Sequence, residues 1–503
     1  MTPSDVNPAA FYQPQRQSPV AILLILFRLL KALLRQAWPL AVVLFINPKS
    51  GFWAYIIYFA IVAAVGTAVL SILSYFKFFF YIRDEELVIE KGILQKTKLN
   101  IPFDRIQTIN FQQNLIHQVF NVISLEVDTA GSSQKEFAIS ALEKDQAEFI
   151  RSYVMAQKKQ QEPPSEITEA IEEEESSRPD QLIFKLTPQD LLKVGLGRNH
   201  LRTLGIIIAT IFGLFQYLEE AMGQKRTIQL LGDYFGVQLS SIFSTILFLL
   251  PFFLLAAVLL TLVNTVLQYF DLRFFRTTQG FKTIAGLFTR REQSTSLQKI
   301  QWVRWSTNPL MRLFKQYRLQ LAAASSAQVG RQQAMSVPGC YQAQIEAVRQ
   351  SYFPAFAQQE RESSGISKAI ISRHLLYFGL PPFLAGPFIT GGLGPFDLLW
   401  LGWIPLVYFL SHRFWKKWRF HISADGLQTD KGIFGSQATL LQWYKVQAID
   451  IRQTPYQRRK QLATIHFFTA AGSVIIPYIP LADAQTLRNF VLYKVESDPR
   501  KWM

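Results

Sequence analysis

The sequence predicts a multi-domain membrane protein in which about six α-helical transmembrane spans, arranged as three hairpins, alternate with three small β-rich domains, each capped by a C-terminal helix. Three observations lead to this prediction. Long apolar segments without formal charge alternate with polar stretches, which is typical of spans between soluble domains. One pattern of turn, strands and helix recurs three times within the 503 residues, as duplicated units do. Lys and Arg cluster beside the ends of the apolar segments.

The N-terminal region allows two arrangements. Residues 18–47 contain apolar stretches interrupted by Arg28, Lys31 and Arg35, whose spacing places all three charges on one helical face. One interpretation is an amphipathic helix in the headgroup region that bends into a span near Pro39, with its charges directed to lipid phosphates. The other is a long tilted helix whose basic face is buried against protein. The sequence leaves both open.

The remaining apolar segments define the other predicted spans. Residues 52–76 and 239–270 carry no formal charge, and each segment is long enough to cross a bilayer. Shorter segments that pair with a neighbour across a short loop lie at 204–218, 375–390 and 395–410. For these shorter segments, the core helix of a soluble domain is the alternative interpretation.

The distribution of basic residues predicts the orientation in the membrane. Short connections between paired spans are expected at 47–51, 221–238 and 391–394, and they carry few basic residues. Basic residues instead flank the span ends on the opposite side, at Lys77, Arg83, Arg273, Arg276, Arg413, Lys416, Lys417 and Arg419. Because cytoplasmic loops are enriched in Lys and Arg, both termini and all three domains are expected to be cytoplasmic.

The overall charge favours the bilayer as the partner. The chain has 52 Lys and Arg against 36 Asp and Glu, a formal net charge of +16. In a soluble protein this balance would favour nucleic acid, but no aromatic strand pattern of an RNA-binding domain accompanies it. Cytoplasmic enrichment of basic residues beside anionic phospholipids accounts for the charge. No nucleic-acid partner is therefore expected.

The repeat is aligned on a turn of glycine followed by apolar residues: KGIL at 91–94, AGLF at 285–288 and KGIF at 431–434. Thirteen residues beyond each glycine stands a basic residue: Arg105, Lys299 and Lys445. Alternating strand-like segments follow, and each repeat closes with a helix-like segment, at 142–156, 341–353 and 482–496. Each unit is thus expected to form a closed or nearly closed barrel capped by a helix.

These patterns divide the chain into eight segments. The predicted order is a polar tail, an amphipathic helix with the first hairpin, domain 1, an acidic linker, a second amphipathic helix with the second hairpin, domain 2, a linker with the third hairpin, and domain 3. The corresponding residues are 1–17, 18–76, 77–157, 158–185, 186–270, 271–354, 355–412 and 413–503. The density of charge at 158–180 predicts a disordered tether.

The first repeat resembles a known family. YIRDEELVIEKGIL at 81–94, IPFDRIQTI at 101–109, NLIHQVF at 114–120 and LEVDTAGS at 125–132 are similar to the bacterial pleckstrin-homology-like (PH-like) domain of the YdbS/YdbT membrane protein family. The larger, YdbT-like members carry three such domains alternating with membrane hairpins. The resemblance implies that each domain is a seven-stranded, helix-capped barrel and that the protein is located in the bacterial plasma membrane. It implies no defined chemistry.

No catalytic or cofactor site is predicted. The six histidines lack metalloprotease spacing, the single cysteine, Cys340, excludes a thiolate cluster and an intramolecular disulfide, and phosphate-binding glycine motifs are absent. DTAGS at 128–132 is interpreted as a strand end and turn rather than a protease loop, because its third-repeat counterpart lacks the aspartate. The chain is therefore expected to be no enzyme, with no cofactor and no metal.

Two functional hypotheses remain. The first is a membrane scaffold or assembly platform whose domains bind protein partners, a second copy of the chain or a smaller single-PH family member. The alternative is binding or handling of anionic phospholipid at the inner membrane face. Its candidate contacts are Arg458, Arg459, Lys460, Arg28, Lys31 and Arg35.

Overall fold

The computed structural model describes residues 11–46, 52–129, 137–161, 180–222, 242–324, 334–357, 362–389 and 402–500. The connections predicted at 47–51 and 391–394, and most of the acidic tether, lie outside the described residues. The chain divides into two compact units. Unit 1 comprises residues 1–175, 198–271 and 284–292, and unit 2 comprises 176–197, 272–283 and 293–503.

Two helices and a six-stranded repeat begin the chain. The helices are α1 (Val20–Ile46) and α2 (Phe52–Phe76). Repeat 1 follows with β1 (Phe79–Arg83), β2 (Glu86–Lys91), β3 (Thr97–Pro102), β4 (Ile106–Gln113), α3 (Leu115–Val119), β5 (Val122–Thr129), β6 (Phe137–Glu143) and α4 (Lys144–Gln161). The apolar strand positions of this repeat, together with Ala147, Ile150 and Val154 of α4, form one buried core.

The same order recurs twice. The second set begins with β7 (Gln181–Lys185), α5 (Pro188–Leu196), α6 (His200–Met222) and α7 (Ile242–Tyr269). Repeat 2 follows with β8 (Arg273–Arg276), β9 (Gly280–Ala285), β10 (Arg290–Ser296), β11 (Ile300–Thr307), α8 (Pro309–Leu313), β12 (Tyr317–Ala323), β13 (Met335–Cys340) and α9 (Gln342–Tyr352).

The third set begins with β14 (Glu362–Gly365), α10 (Ala369–His374), a π-helical turn, α11 (Leu380–Ile389) and α12 (Trp403–Lys417). Repeat 3 follows with β15 (Arg419–Ile422), β16 (Gly426–Lys431), β17 (Ser436–Gln442), β18 (Ala448–Arg452), α13 (Pro455–Arg459), β19 (Leu462–Thr469), β20 (Gly472–Pro480) and α14 (Leu481–Ser497).

The shared glycine lies in the turn between the second and third strands of each repeat. Gly92, Gly286 and Gly432 have φ angles of 119°, 116° and 157°, values that side chains with a Cβ rarely adopt. A Cβ on Gly92 would lie 1.9 Å from the carbonyl oxygen of Gln95. The turn therefore requires glycine, which explains why the pattern repeats at this residue.

The segment before each predicted hairpin packs on the repeat that follows. In unit 1, Ser18 N donates to Ala141 O at 3.0 Å, next to the buried Ala21 of α1. In unit 2, Ser367 N donates to Tyr478 O at 2.8 Å, and Ile370 of α10 lies in the core of repeat 3. The helices that lead away from the repeats are thus fixed to them by backbone hydrogen bonds and apolar packing.

The expectation of closed barrels is wrong. Strands β1-β2-β3 and β18-β19-β20 form separate three-stranded sheets, and unit 2 contains an open seven-stranded sheet of order β13-β12-β11-β17-β16-β15-β14. A closed barrel would have to pair its strands within one repeat, but β4 pairs with β10 of the next repeat and β11 pairs with β17 of the next repeat. The segment before each hairpin pairs with the first strand of the repeat that follows. β7 pairs with β8, β14 pairs with β15, and Gln15 forms an isolated bridge to Phe80 of β1.

The expected number of about six spans is also wrong for the described residues. There, two helical segments are long and apolar enough to cross a membrane, Ile57–Phe76 and Leu249–Tyr269. Only 6% and 17% of these segments are buried, unlike the core helix of a soluble domain. The other helices are shorter in their apolar part or carry charge: His200–Gly213 is a short apolar helix, α12 ends in basic residues, and α1 carries Arg28, Lys31 and Arg35.

Candidate functional site: the sheet edges between repeats

Successive repeats are joined through the edges of their sheets. The strands concerned are called here the third strand of each repeat (β3, β10, β17) and the fourth strand (β4, β11, β18). In unit 2, β11 pairs antiparallel with β17 through six residue pairs, from Trp302 with Leu441 to Thr307 with Ser436. In unit 1, β4 pairs antiparallel with the first residues of β10, from Phe111 with Glu292 to Gln113 with Arg290.

The two joints have the same register. Counted from the shared glycine, Phe111 and Trp305 occupy position 19, and their partners Glu292 and Ala438 both occupy position 6. The next pairs also agree, with positions 20 and 21 opposite positions 5 and 4. Because a shift of one residue would move every side chain to the other face of the sheet, a shared register means that the same surfaces meet in both joints.

An ion pair reinforces the first joint. Arg151 Nη1 on α4 donates to Glu292 Oε1 on β10 at 2.7 Å, and both side chains are largely shielded from solvent, with 28% and 22% exposed. The Arg151 guanidinium also lies 5.3 Å from the centroid of the Phe111 ring. Gln118 Nε2 donates to Leu287 O at 3.3 Å. The closing helix and the one-turn helix α3 of repeat 1 thus both contact the strand hairpin of repeat 2.

Side chains also cross the second joint. Arg304 Nε on β11 donates to Thr439 Oγ1 on β17 at 3.0 Å, and its guanidinium lies 4.1 Å from the ring centroid of Trp302. Gln442 Nε2 donates to Tyr352 O at 3.0 Å. Burial lowers the pKa of Arg304, and an arginine stacked on an aromatic ring tolerates such partial desolvation.

Lys445 is buried at the second joint. Its side chain is fully inaccessible, and Nζ donates to the carbonyl oxygen of Gln298, a residue of repeat 2. Burial, with a smaller effect of the nearby Arg500 charge, lowers the pKa of Lys445 to about 8. In the sequence this residue is only the basic member of a repeated position, and the structure gives it a contact between repeats.

Close backbone approach at the second joint requires a glycine. A Cβ on Gly435 would lie 2.0 Å from the carbonyl oxygen of Thr307. Gly435 directly precedes β17, and Thr307 ends the paired part of β11. The joint is therefore fitted at the backbone level as well as through side chains.

Two further sheet edges correspond to the two halves of a joint, one in repeat 1 and one in repeat 3. Within the described ranges, β3 is hydrogen-bonded to β2 and forms the edge of its sheet, and β18 is hydrogen-bonded to β19 and forms the edge of its own. By position from the shared glycine, β3 corresponds to β10 and β17, and β18 corresponds to β4 and β11. Each therefore presents backbone groups that its counterparts use in a joint.

A cavity of about 530 Å³ lies in unit 2 beside the second joint. Its lining includes Asn308, Phe414, Trp418, Lys431 and Gln437. Burial and the neighbouring Arg304 charge lower the pKa of Lys431. Since the lining combines aromatic rings with hydrogen-bond donors and a cation, the cavity can accept a group that is partly apolar and partly anionic.

The glycine turns lie beside the ends of the preceding helices. In unit 1, Gly286 N donates to Phe270 O and Leu287 N donates to Leu267 O, both at 3.0 Å, at the end of the candidate span in α7. In repeat 3, the Arg413 guanidinium of α12 lies 5.5 Å from the Phe434 ring centroid. The apolar residues two positions after each glycine are exposed: Leu94, Phe288 and Phe434.

The basic residues singled out in the sequence occupy two separate elements. Arg28, Lys31 and Arg35 are exposed on α1, and Arg28 Nη2 donates to Ser140 Oγ at 3.4 Å. Arg458, Arg459 and Lys460 are exposed at the one-turn helix α13 between β18 and β19. The cavity is lined by Lys431 instead. In the part of the chain that the structure describes, no group of three or more His, Cys, Asp or Glu side chains could hold a metal ion.

Comparison with known proteins agrees with the repeat. A family model described as Bacterial PH domain matches residues 22–158, 236–359 and 379–495, more than half of the chain. The chain belongs to the bacterial PH domain family. It is 23% identical over 464 residues to the UPF0699 transmembrane protein YdbT of Bacillus subtilis (strain 168), covering 90% of this chain and 92% of that relative. It is 30% identical over 103 residues to the UPF0699 transmembrane protein YdbS of the same organism, covering 20% of this chain and 64% of that relative. No solved structure matches significantly.

One recurrent residue of this bacterial PH domain protein is not among those that the repeat pattern of the sequence singles out. The eighth residue of each closing helix is an arginine: Arg151, Arg349 and Arg488. The buried residues of the three helices match at the third, sixth and tenth positions after the first. A residue-by-residue alignment of the three closing helices on this spacing therefore identifies the shared arginine.

Proposed function

We propose that this bacterial PH domain protein is a non-enzymatic membrane scaffold that presents its three repeats at the cytoplasmic face as a platform for protein–protein assembly. Its partners would be a second copy or a smaller member of the family with a single repeat. The similarity to YdbT, which is named a transmembrane protein, and the exposed apolar helices at Ile57–Phe76 and Leu249–Tyr269 support the membrane location.

The observation that carries the scaffold proposal is the repeated sheet-edge joint. The same register is used between β4 and β10 and between β11 and β17, so the fold contains a standard surface by which one bacterial PH domain binds another. Strand addition of this kind obtains affinity from main-chain hydrogen bonds and specificity from the side chains that flank them. A protein built on such joints is suited to assembly.

Crosslinking in native membranes tests the scaffold function. Membranes are treated with an amine-reactive crosslinker, solubilised in a gentle detergent, and the tagged chain is purified for mass spectrometry. We expect a homo-oligomer or one defined protein partner at reproducible stoichiometry. Recovery of monomers alone, at crosslinker levels that join a known membrane complex in the same sample, would contradict the proposal.

Binding of anionic phospholipid is a second candidate function, favoured by the cavity beside the second joint. The cavity brings Lys431 together with Phe414 and Trp418, next to a glycine turn that contacts the end of α12. A cation beside aromatic rings at the level of a helix end suits a lipid phosphate and the adjoining glycerol. The exposed Arg458, Arg459 and Lys460 offer a second, more open surface for headgroups.

Native mass spectrometry distinguishes these two lipid sites. Lys431→Gln is expected to lower the fraction of the chain that retains phosphatidylglycerol severalfold, because the cavity loses its cation. The triple variant Arg458→Gln, Arg459→Gln, Lys460→Gln tests the α13 surface, and Lys144→Gln, at an exposed lysine of α4, is the control. Equal retention by all four proteins would remove both sites from consideration.

A further inference from the structure

The three repeats contain three third strands and three fourth strands, but they form two joints with one another. β10 and β17 pair with β4 and β11, whereas β3 and β18 lie at sheet edges within the described residues. We propose that β18 of one chain pairs with β3 of a second copy in the register of the internal joints, so that copies associate head to tail. This inference rests on the proposed scaffold function and names the surface and the partner.

Both edges have a backbone that can form a joint like the first internal one, in which Thr289 of repeat 2 stands at the position of Gly435; Gln95 stands there before β3. In the second joint the paired residues lie at positions 16–21 of the fourth strand and 4–9 of the third, counted from the shared glycine, and the first joint uses positions 19–21 and 4–6 of the same register. The same positions are 448–453 at the β18 edge and 96–101 at the β3 edge, and neither segment contains proline, which would lack the N–H needed for pairing. Pro102 follows directly outside the segment.

The β18 edge already has the local structure of a joined strand. At position 21 of each repeat, a side chain donates to the carbonyl oxygen at position 30: Gln113 to Val122 at 3.2 Å, Thr307 to Gln316 at 3.0 Å, and Gln453 to Leu462 at 2.7 Å. Gln113 and Thr307 are paired with a third strand. Since Gln453 makes the same bond, pairing would require no rearrangement of this end of the strand.

The charges on the two edges agree with this register. It places Asp450 opposite Leu99, Ile451 opposite Lys98 and Arg452 opposite Thr97, so that no like charges face each other. A slip of one residue in either direction would place Arg452 opposite Lys96 or Lys98. Like charges directly opposite each other destabilise an antiparallel pair, so the edges disfavour the slip that places Arg452 opposite Lys98. The other slip also places Asp450 opposite Lys98, an attraction that offsets the repulsion between Arg452 and Lys96.

A second copy of the chain fits this edge because each copy supplies both halves. β3 is the counterpart of the strands that already occupy β4 and β11. The contact is heterologous, since each half differs from the other, and it leaves a further β3 and a further β18 open at the two ends of every assembly. The edges are polar, with Lys98 and Arg452 more than half exposed, which limits association at low concentration.

Disulfide formation between two differently tagged full-length chains tests the pairing. One chain carries Thr97→Cys and the other Arg452→Cys; they are co-expressed, and native membranes are treated with a mild thiol oxidant. Directly opposite residues have Cβ atoms about 4.5–5.5 Å apart, near disulfide range. The native Cys340 is fully buried, and burial raises its pKa to about 12, so it does not compete. We expect a reducible dimer that contains both tags.

Matched controls come from the chain itself. Gln112→Cys with Arg291→Cys occupies the same two positions in the first internal joint and should form a disulfide within one chain. Arg452→Cys with Lys98→Cys departs from the register by one residue and should crosslink at least fivefold less. Absence of the two-tag dimer while the internal pair is oxidised would overturn the inference, and so would equal yields from the Thr97 and Lys98 pairings.

A charge swap gives an independent readout. Thr97→Arg places two arginines opposite each other and should shift the chain to monomer in light scattering of the detergent-solubilised protein. Adding Arg452→Glu to the same chain should restore the oligomer. Failure of the second change to restore it would contradict this register. If amine-reactive crosslinking still recovers a partner while both edge tests fail, the scaffold function stands and the head-to-tail pairing does not.

Discussion

Lys445 places a buried amine at the contact between repeats 2 and 3. Its pKa is lowered to about 8 by burial and by the Arg500 charge, whereas the amine of an unfolded chain titrates near 10.4. Between these values the unfolded state binds more protons, so stability rises with pH across this window. The amine is thus a group whose positive charge opposes folding near neutral pH, while its donation to Gln298 O supports the joint.

We therefore expect Lys445→Met to change the pH profile of stability. The free energy of unfolding of the natural chain should rise by up to about 3 kcal/mol between pH 8 and 10.5 from this one group, and the variant should lack that part of the rise. Denaturant unfolding of the detergent-solubilised protein at several pH values measures the difference. Parallel profiles for the two proteins would show that Lys445 is charged and solvated in the folded state.

Gly435 tests the backbone fit of the same joint. A Cβ at this residue would lie 2.0 Å from Thr307 O, so Gly435→Ala must push β17 away from β11. We expect a loss of about 1–3 kcal/mol of stability, the usual cost of forcing extra atoms into a packed site. Gly66→Ala is the control, because nothing lies within 4 Å of a Cβ there. Thermal unfolding should separate the two variants clearly.

At the scale of secondary-structure elements, the joint between β4 and β10 is shorter in its paired length than the joint between β11 and β17. The first joint is supplemented by α4, whose Arg151 reaches Glu292. In the second joint, the side chains of β11 and β17 themselves supply contacts such as that of Arg304 with Thr439. One strand register is therefore stabilised by different side chains in the two places.

A double-mutant cycle measures the contribution of α4 to the first joint. We expect Arg151→Met and Glu292→Gln each to destabilise the chain and the double variant to show a coupling energy of about 1 kcal/mol, typical of a well-formed ion pair near the surface. Lys144 and Glu148, an exposed pair 3.8 Å apart on the same helix, form the control cycle, with a coupling of about 0.3 kcal/mol. Equal coupling in both cycles would mean that the Arg151 pair adds no more to the joint than an exposed ion pair within one helix adds to that helix.

At the scale of the whole molecule, α2 and α7 contain the two described segments that are long and apolar enough to cross a membrane. We expect Val65→Arg, near the middle of the segment Ile57–Phe76, to cost about 3 kcal/mol of insertion free energy and to raise the fraction of chain released by alkaline carbonate extraction. Val119→Arg, at an exposed residue of α3, is the control and should remain in the pellet. Because α7 alone can hold the chain in the pellet, Val65→Arg is also combined with Leu259→Arg in the segment Leu249–Tyr269. Retention of that double variant would argue against both helices as spans.

Much of each repeat could be predicted from the sequence, because local chemistry determines it. The glycine turn, the strands that alternate around it and the closing helix follow from Gly92 and its two counterparts and from apolar spacing. The joints could not be predicted, since they consist of backbone hydrogen bonds between strands that the sequence shows only as alternating residues. The prediction of closed barrels failed for this reason: nothing in the side chains of β11 indicates that it pairs with β17.

The number of spans was overestimated for a related reason. Composition alone predicts a span for every apolar segment. The described helices α1 and α12 combine such segments with charged residues, among them Arg28 and Lys417, and therefore do not qualify as candidate spans. The candidate site was predicted only in part. Lys445 was recognised as a repeated basic position, whereas its contact with Gln298 depends on the fold of two repeats.

The two internal joints pair the same positions counted from the shared glycine, and this constancy also indicates where residues can be inserted in the chain. An insertion of one residue within a paired strand, for example within β17, would move the side chains on one side of the insertion to the opposite face of the sheet. The link between the last two strands differs in length among the repeats, occupying 130–136, 324–334 and 470–471. A peptide epitope or a small fluorescent reporter belongs at the first two of these links, where length has already varied without altering the arrangement of the strands around it.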